Sequence, residues 1–345
     1  MALLMKKYIS ILNVLACLSV VLLHTNGVFW DFSYSTTWLS ANVIECIFYF
    51  AVPVFFMNTG ATLIDYNKRY DTRTFFRKRF SKTLIPFLFW SLIALFYYLL
   101  TTPGAAASLG IRSIFDGIFN TRYVSIYWFF IALFTVYFCI PVFACIPESV
   151  REKAFIYIIA LSFILNNFLP FVFGFFNGMP AYNYALNMPL GRDYLLYVLL
   201  GYLIDRSVLK KKTRRLIYTA GIVGLLVHIF GTWYLSYQTG AISGTFKGYL
   251  NVPCILYSAA IFTFFQHIDA KKIPENVMRL VSKIAPTTFG IYLMHWYVMN
   301  LFLHITGVDP HNIVYRLGGG VLIFAMTGLL TFVLSKVPII KRVIP

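Results

Sequence analysis

The side chain best placed to do acid–base work is His24, in the run Leu22-Leu23-His24-Thr25-Asn26 near the outer end of the first long apolar stretch. An ionisable group at membrane depth is costly to keep there and so is a functional candidate. An imidazole takes a hydroxyl proton near neutral pH and returns one to a leaving group. The plainer reading is an interfacial histidine. Glu45 is the only carboxylate well inside an apolar stretch. Its charge needs a neutralising proton, a cation or a wet cavity. Pairing with His24 would orient the ring and raise its basicity, as in other acid–base relays, and a structural hydrogen bond is the alternative. Asn13 lies eleven residues before His24, on nearly the same helical face but about 16 Å lower along the axis. The two cannot touch in a regular helix, yet they can line one channel at two depths, or Asn13 can make an interhelical hydrogen bond.

The segment 73–82 carries Arg73, Arg77, Lys78, Arg79 and Lys82. A membrane-surface anchor accounts for most of that charge. Arg79 and Lys82 are three apart and share a helical face, which together with free backbone N–H groups at a helix start suits phosphates, with Arg77 beside them. His295 sits inside a later apolar stretch, where a lone histidine satisfies a buried hydrogen bond or touches substrate. Trp30 and Trp38 flank the segment after His24 and are candidates to stack on a sugar ring, although tryptophans near span ends commonly form interfacial belts. The five cysteines are odd in number and lack ligand spacing, so no metal site is expected. No glycine-rich phosphate loop occurs.

These residues must be held by helices in lipid. In a chain of 345 residues, 59% are apolar and 12% charged, more apolar surface than one water-soluble core can hide. Runs long enough to cross the roughly 30 Å hydrocarbon layer as helices recur near 8–27, 38–63, 83–100, 124–145, 154–172, 190–205, 216–236, 248–266, 284–305 and 314–335. The alternation expected of a membrane β-barrel is missing. The expected fold is therefore an all-α polytopic bundle of about ten transmembrane helices, the fifth and sixth being the weakest. Lys6, Lys7, the 68–82 segment, Arg151, Lys153, the 206–215 segment, Lys271, Lys272, Arg279, Lys283, Lys336, Lys341 and Arg342 fall on one side, 24 cations in all. The other side has five: Arg112, Arg122, Arg192, Lys247 and Arg316. This bias puts both termini in the cytoplasm and accounts for the net charge of +17 without nucleic acid as a partner. The first span is expected to be retained, since no small-residue cleavage site follows it. Pro86 reads as a helix start. Without a linker or internal repeat, residues 1–345 read as one membrane-embedded domain.

In order along the chain come Val20-Val21-Leu22-Leu23-His24, Val52-Pro53-Val54-Phe55-Phe56-Met57-Asn58-Thr59-Gly60, Phe75-Phe76-Arg77-Lys78-Arg79 leading to Pro86, Tyr127-Trp128-Phe129-Phe130, Leu200-Gly201-Tyr202-Leu203 and Gly290-Ile291-Tyr292-Leu293-Met294-His295. On these segments nearly the whole chain resembles integral-membrane acyltransferase family 3, whose members acylate sugars, polysaccharides and other surface molecules. The resemblance implies a ten-helix core, acyl-coenzyme A (commonly acetyl-coenzyme A) as cytoplasmic donor, a hydroxyl of an extracytoplasmic carbohydrate or envelope molecule as acceptor, and a multi-pass place in the inner, plasma membrane. It also implies that His24 is the catalytic histidine and that Arg79 and Lys82 match two cytoplasmic arginines. Two positions depart from the family: Asn13 stands where arginine is common, and Lys82 replaces the second arginine. A rival reading is a transporter or flippase of a lipid-linked sugar, with His24, Glu45 and His295 binding substrate or protons. Lack of an inverted repeat disfavours it. The acceptor, the acyl chain and any self-association lie beyond the sequence.

Overall fold

Without water, a lipid-embedded backbone has to satisfy its own N–H and C=O groups, and helices do so within one segment. The computed structural model describes residues 6–176, 180–269, 272–338 and 340–344, and among these every regular element is helical. Lys271, counted above among the inner cations, lies outside the described residues. The longer helices are α1 (Lys7–Thr25), α2 (Thr36–Phe48), α3 (Ala51–Leu63), α4 (Thr72–Thr101), α5 (Ile111–Phe119), α6 (Trp128–Ala144), α7 (Glu148–Ser162), α8 (Leu169–Phe175), α9 (Leu195–Arg206), α10 (Lys211–Thr239), α11 (Val252–Gln266), α12 (Glu275–Ile284), α13 (Thr288–Thr306) and α14 (Gly320–Leu334). A wider π turn, Phe163–Phe168, joins α7 to α8, and another, Tyr315–Gly319, leads into α14.

All ten expected spans are helical, and seven helical stretches among the described residues are long and apolar enough to cross a bilayer. The protein is thus a polytopic helical membrane bundle. The other three spans depart from a plain crossing for separate reasons. The sixth shrinks to α9, 12 residues and so about 18 Å. It is largely enclosed, with Leu196, Tyr197, Val198, Leu199 and Gly201 all buried. The eighth, α11, has 15 residues. The ninth, α13, has 19 residues but carries His295, Asn300 and His304.

Pro86 does not start a helix. It lies inside the 30-residue α4, which begins eleven residues before the expected span. Asp71 caps that start by accepting from the Thr74 amide at 3.1 Å, and its bonds to Thr74 hold its carboxyl below the usual carboxylate range. The basic segment is therefore wound into the same helix as the apolar run, and Pro86 costs one backbone bond within it.

The chain divides into two compact units, residues 1–63 with 146–328 and residues 64–145 with 329–345. In the first, α1 runs through the core, burying Leu12, Ala16, Cys17, Val20 and Val21. Its start is tied to the end of α9: the Lys6 ammonium lies 2.5 and 2.7 Å from the Asp205 carboxylate oxygens, and the Tyr8 hydroxyl donates to the same carboxylate. Both ends belong to the cation-rich side. Small residues let backbones meet elsewhere. A Cβ at Gly60 of α3 would overlap the Val198 carbonyl of α9, and one at Gly201 would overlap the backbone of Met57. The second unit is held by aromatic rings: Phe76, Phe80 and Phe87 of α4 against Phe130, Phe134 and Phe138 of α6. The Trp90 indole also donates to the Val343 carbonyl at 3.0 Å.

The backbone contact between α3 and α9 generates a test. Gly60→Leu should drive these helices apart and abolish monodisperse protein in detergent, beyond the roughly 1–3 kcal/mol of ordinary overpacking. Gly27, with nothing within 4 Å of its added Cβ, is the control, and Gly27→Ala should leave the thermal melting curve unchanged.

Candidate active site

Near the C-terminal end of α1, His24 is half-buried and meets a residue 271 positions away. Its Nδ1 lies 2.8 Å from Nε2 of His295, with the two rings nearly parallel and their centroids 5.0 Å apart. His295 is fully buried on α13. Its Nδ1 faces two carbonyls of its own helix, that of Tyr292 at 2.8 Å and that of Ile291 at 3.0 Å. Both nitrogens of His295 are therefore engaged, and the expectation that it touches substrate is corrected: it has no free edge to offer. His24 keeps one. Its Nε2 makes no hydrogen bond to the protein among the described residues.

Glu45 does not pair with His24. Its Oε1 lies 3.1 Å from the Lys247 ammonium, and each side chain is only 3% exposed. The sequence leads one to expect this cation in an outer loop. Instead it is enclosed by aromatic rings, 3.9 Å from the centre of Tyr49, 4.4 Å from Trp30 and 4.8 Å from Phe29. Asn26, two residues beyond His24, joins this pair to a second cation. Its amide donates to the Ala41 carbonyl at 2.9 Å and at longer range to Glu45. Its carbonyl oxygen accepts from Arg316 at 3.3 Å. The guanidinium also donates to the Ser40 hydroxyl at 2.8 Å and to the Thr37 carbonyl at 3.4 Å. The Thr25 hydroxyl in turn donates to the Arg316 carbonyl at 2.8 Å. The end of α1, the first turns of α2 and the start of the last helix are thus laced together around His24.

The turn that permits this is local. Ser35 caps α2 by accepting from the Trp38 amide, and the Trp38 indole reaches back to donate to the Phe29 carbonyl at 2.9 Å. Trp38 is fully buried and stacked on Phe29. It cannot present a face to a sugar, so that expectation is corrected too. Trp30 remains 59% exposed. Asn13, deeper on α1, accepts from the Asn58 amide of α3 at 2.8 Å.

The basic run lies in the second unit, and its Arg79 and Lys82 sit two to three turns inside α4 rather than at its start. Free backbone N–H groups are therefore not part of its chemistry. Arg77 and Lys82 are exposed and Arg79 is half-buried. Arg79 lies close to the Tyr137 side chain, and its Nε is buried with no hydrogen-bond partner among the described residues. Sequence reasoning missed Lys247, Arg316, Asn26 and Asn58. The signal for the first two was present: single cations on the side otherwise depleted of them.

The buried pair yields a stability prediction. Removing one charge strands the other, so Glu45→Gln or Lys247→Met alone should cost about 3–5 kcal/mol, while the double substitution should recover most of it. Thermal melts of the four proteins in detergent measure the coupling.

No curated protein and no solved structure matches the chain. The family described as an acyltransferase domain matches residues 6–336. That range contains both histidines, the Glu45–Lys247 pair and the basic segment of α4. This multi-pass membrane protein belongs to that acyltransferase family.

Proposed function

We propose that the protein transfers an acyl group, acetyl in the first instance, from cytoplasmic acyl-coenzyme A to a hydroxyl of an extracytoplasmic carbohydrate or other envelope acceptor, in the inner, plasma membrane. The observation that carries this reading is the open Nε2 of His24 on a ring held from behind by His295, in a chain of an acyltransferase family. His24 acts as general base. Its Nε2 takes the proton of the acceptor hydroxyl as that oxygen forms a bond to the thioester carbonyl carbon. The carbon–sulfur bond then breaks, and the departing thiolate takes the proton from the imidazolium, so the base is regenerated and no group is left over. The aromatic surface of Trp30 is the acceptor-side contact that stays accessible.

Arg79, Lys82 and Arg77 serve the donor's phosphates. Arg79 suits this part because, among the described residues, its guanidinium is paired with no carboxylate and its Nε has no hydrogen-bond partner. Asn13 lies on the same helix as His24, and its amide nitrogen has no bond to the protein among the described residues. An amide can hydrogen-bond an amide-containing arm such as pantetheine, where an arginine would add charge. Glu45 belongs to the wall rather than to the reaction, since Lys247 neutralises it.

Detergent-purified protein should bind coenzyme A and turn over acetyl-coenzyme A with a carbohydrate acceptor. His24→Ala should lower kcat by about 10²–10⁴-fold with donor binding kept. Arg79→Ala/Lys82→Ala should instead weaken donor binding at least about tenfold, the loss of a charge-assisted hydrogen bond or more. A well-folded wild type that neither binds nor consumes acyl-coenzyme A would sink the reading and favour sugar transport.

A further inference from the structure

We propose that His295 is a positioning residue that dictates which nitrogen of His24 carries the lone pair, so that the catalytic base is set by the backbone of another helix. With His24 as the general base proposed above, donors and acceptors fix the tautomers. Carbonyl oxygens only accept. His295 Nδ1 faces the carbonyls of Tyr292 and Ile291 at 2.8 and 3.0 Å, so this nitrogen bears the hydrogen. In the uncharged ring Nε2 then holds the lone pair. That atom lies 2.8 Å from His24 Nδ1, which must be the donor. A hydrogen on His24 Nδ1 leaves the lone pair on Nε2, the one ring nitrogen of the pair with no protein partner among the described residues. Backbone, His295 and His24 form a chain in which each tautomer follows from the one before it.

The arrangement does the work of the carboxylate in other acid–base relays without adding a charge. When His24 Nε2 takes a proton, the imidazolium keeps donating through Nδ1 to a neutral imidazole. The nearby carboxylate is not available for this part, because Glu45 is bound to Lys247. A neutral orienting partner also avoids the desolvation cost of another buried anion at this depth. The ring of His295 is held rigidly enough to matter. It is fully buried, and it follows Ile291, Leu293 and Met294, which are buried as well. The competing arrangement is a charged His295 donating from both nitrogens. His24 would then accept at Nδ1, carry its hydrogen on Nε2 and be useless as a base toward substrate.

Nitrogen-15 NMR of histidine-labelled protein in nanodiscs separates the two, with His24→Gln and His295→Gln assigning the signals. The expected wild-type spectrum has His24 and His295 both protonated at Nδ1 and bare at Nε2. In His295→Phe the His24 signal should move toward the Nε2–H form that free histidine favours. In acyl-transfer assays the same variant should lose about 10²-fold or more in kcat, with KM for acyl-coenzyme A within about twofold, the signature of a lost reacting geometry rather than lost binding. His295→Gln, whose side-chain carbonyl can accept from His24 Nδ1, should restore kcat to within about tenfold of wild type. A wild-type His24 protonated at Nε2 overturns the proposal, as does His295→Phe with unchanged tautomer or unchanged kcat. If His24→Ala keeps full acyl transfer, the base assignment falls instead, and the spectrum still decides whether His295 sets the His24 tautomer.

Discussion

Everything in this bundle follows from the lack of water to complete a hydrogen bond in the hydrocarbon region. A buried polar group there must find a protein partner, and the chain supplies partners in sets. His24 has His295, Glu45 has Lys247, Asn13 has Asn58, and Arg316 is shared among Asn26, Ser40 and Thr37. Lipid tails are as apolar as leucine, so apolar contact alone does not say which helices should meet. The polar pairs do. They join α1 to α13, α2 to the segment before α11, and α1 to α3.

Close packing completes the specification where polar groups are absent. Gly60 and Gly201 bring the backbones of α3 and α9 into contact, and Gly221 of α10 is set directly against Ala260 of α11. Such contacts replace hydrophobic driving force with dispersion, which requires atoms at contact distance and so small residues at the crossing. The 12 residues of α9 are sufficient for this role because most of its surface faces protein.

The economy of charge around His24 bears on its chemistry. Among the described residues, the one deeply buried carboxylate nearby is neutralised by Lys247 inside a ring of aromatic faces. Arg316 is held by neutral oxygens. His24 is thus backed by the ring of His295 and flanked by groups already engaged, while its own Nε2 has no protein partner among the described residues. In family terms this is a membrane acyltransferase, and proton transfer is the use proposed for that nitrogen.

By itself the sequence determined that the protein is a helical membrane bundle and where its ten apolar stretches lie, and it raised a cation-rich side and a role for His24 as expectations. Each of these is written along the chain: run length sets spanning, loop charge sets sidedness, and a lone histidine stands out in an apolar run. Boundaries were less legible. Asp71 capped α4 early and moved Arg79 and Lys82 from a helix start into a helix interior. The tertiary structure alone decided who partners whom. His295 rather than Glu45 stands behind His24, Lys247 left the loop for the core, and Trp38 turned inward to donate to Phe29. The first two choices depend on which helices cross and at what height, and residues hundreds of positions apart carry no local mark of that meeting.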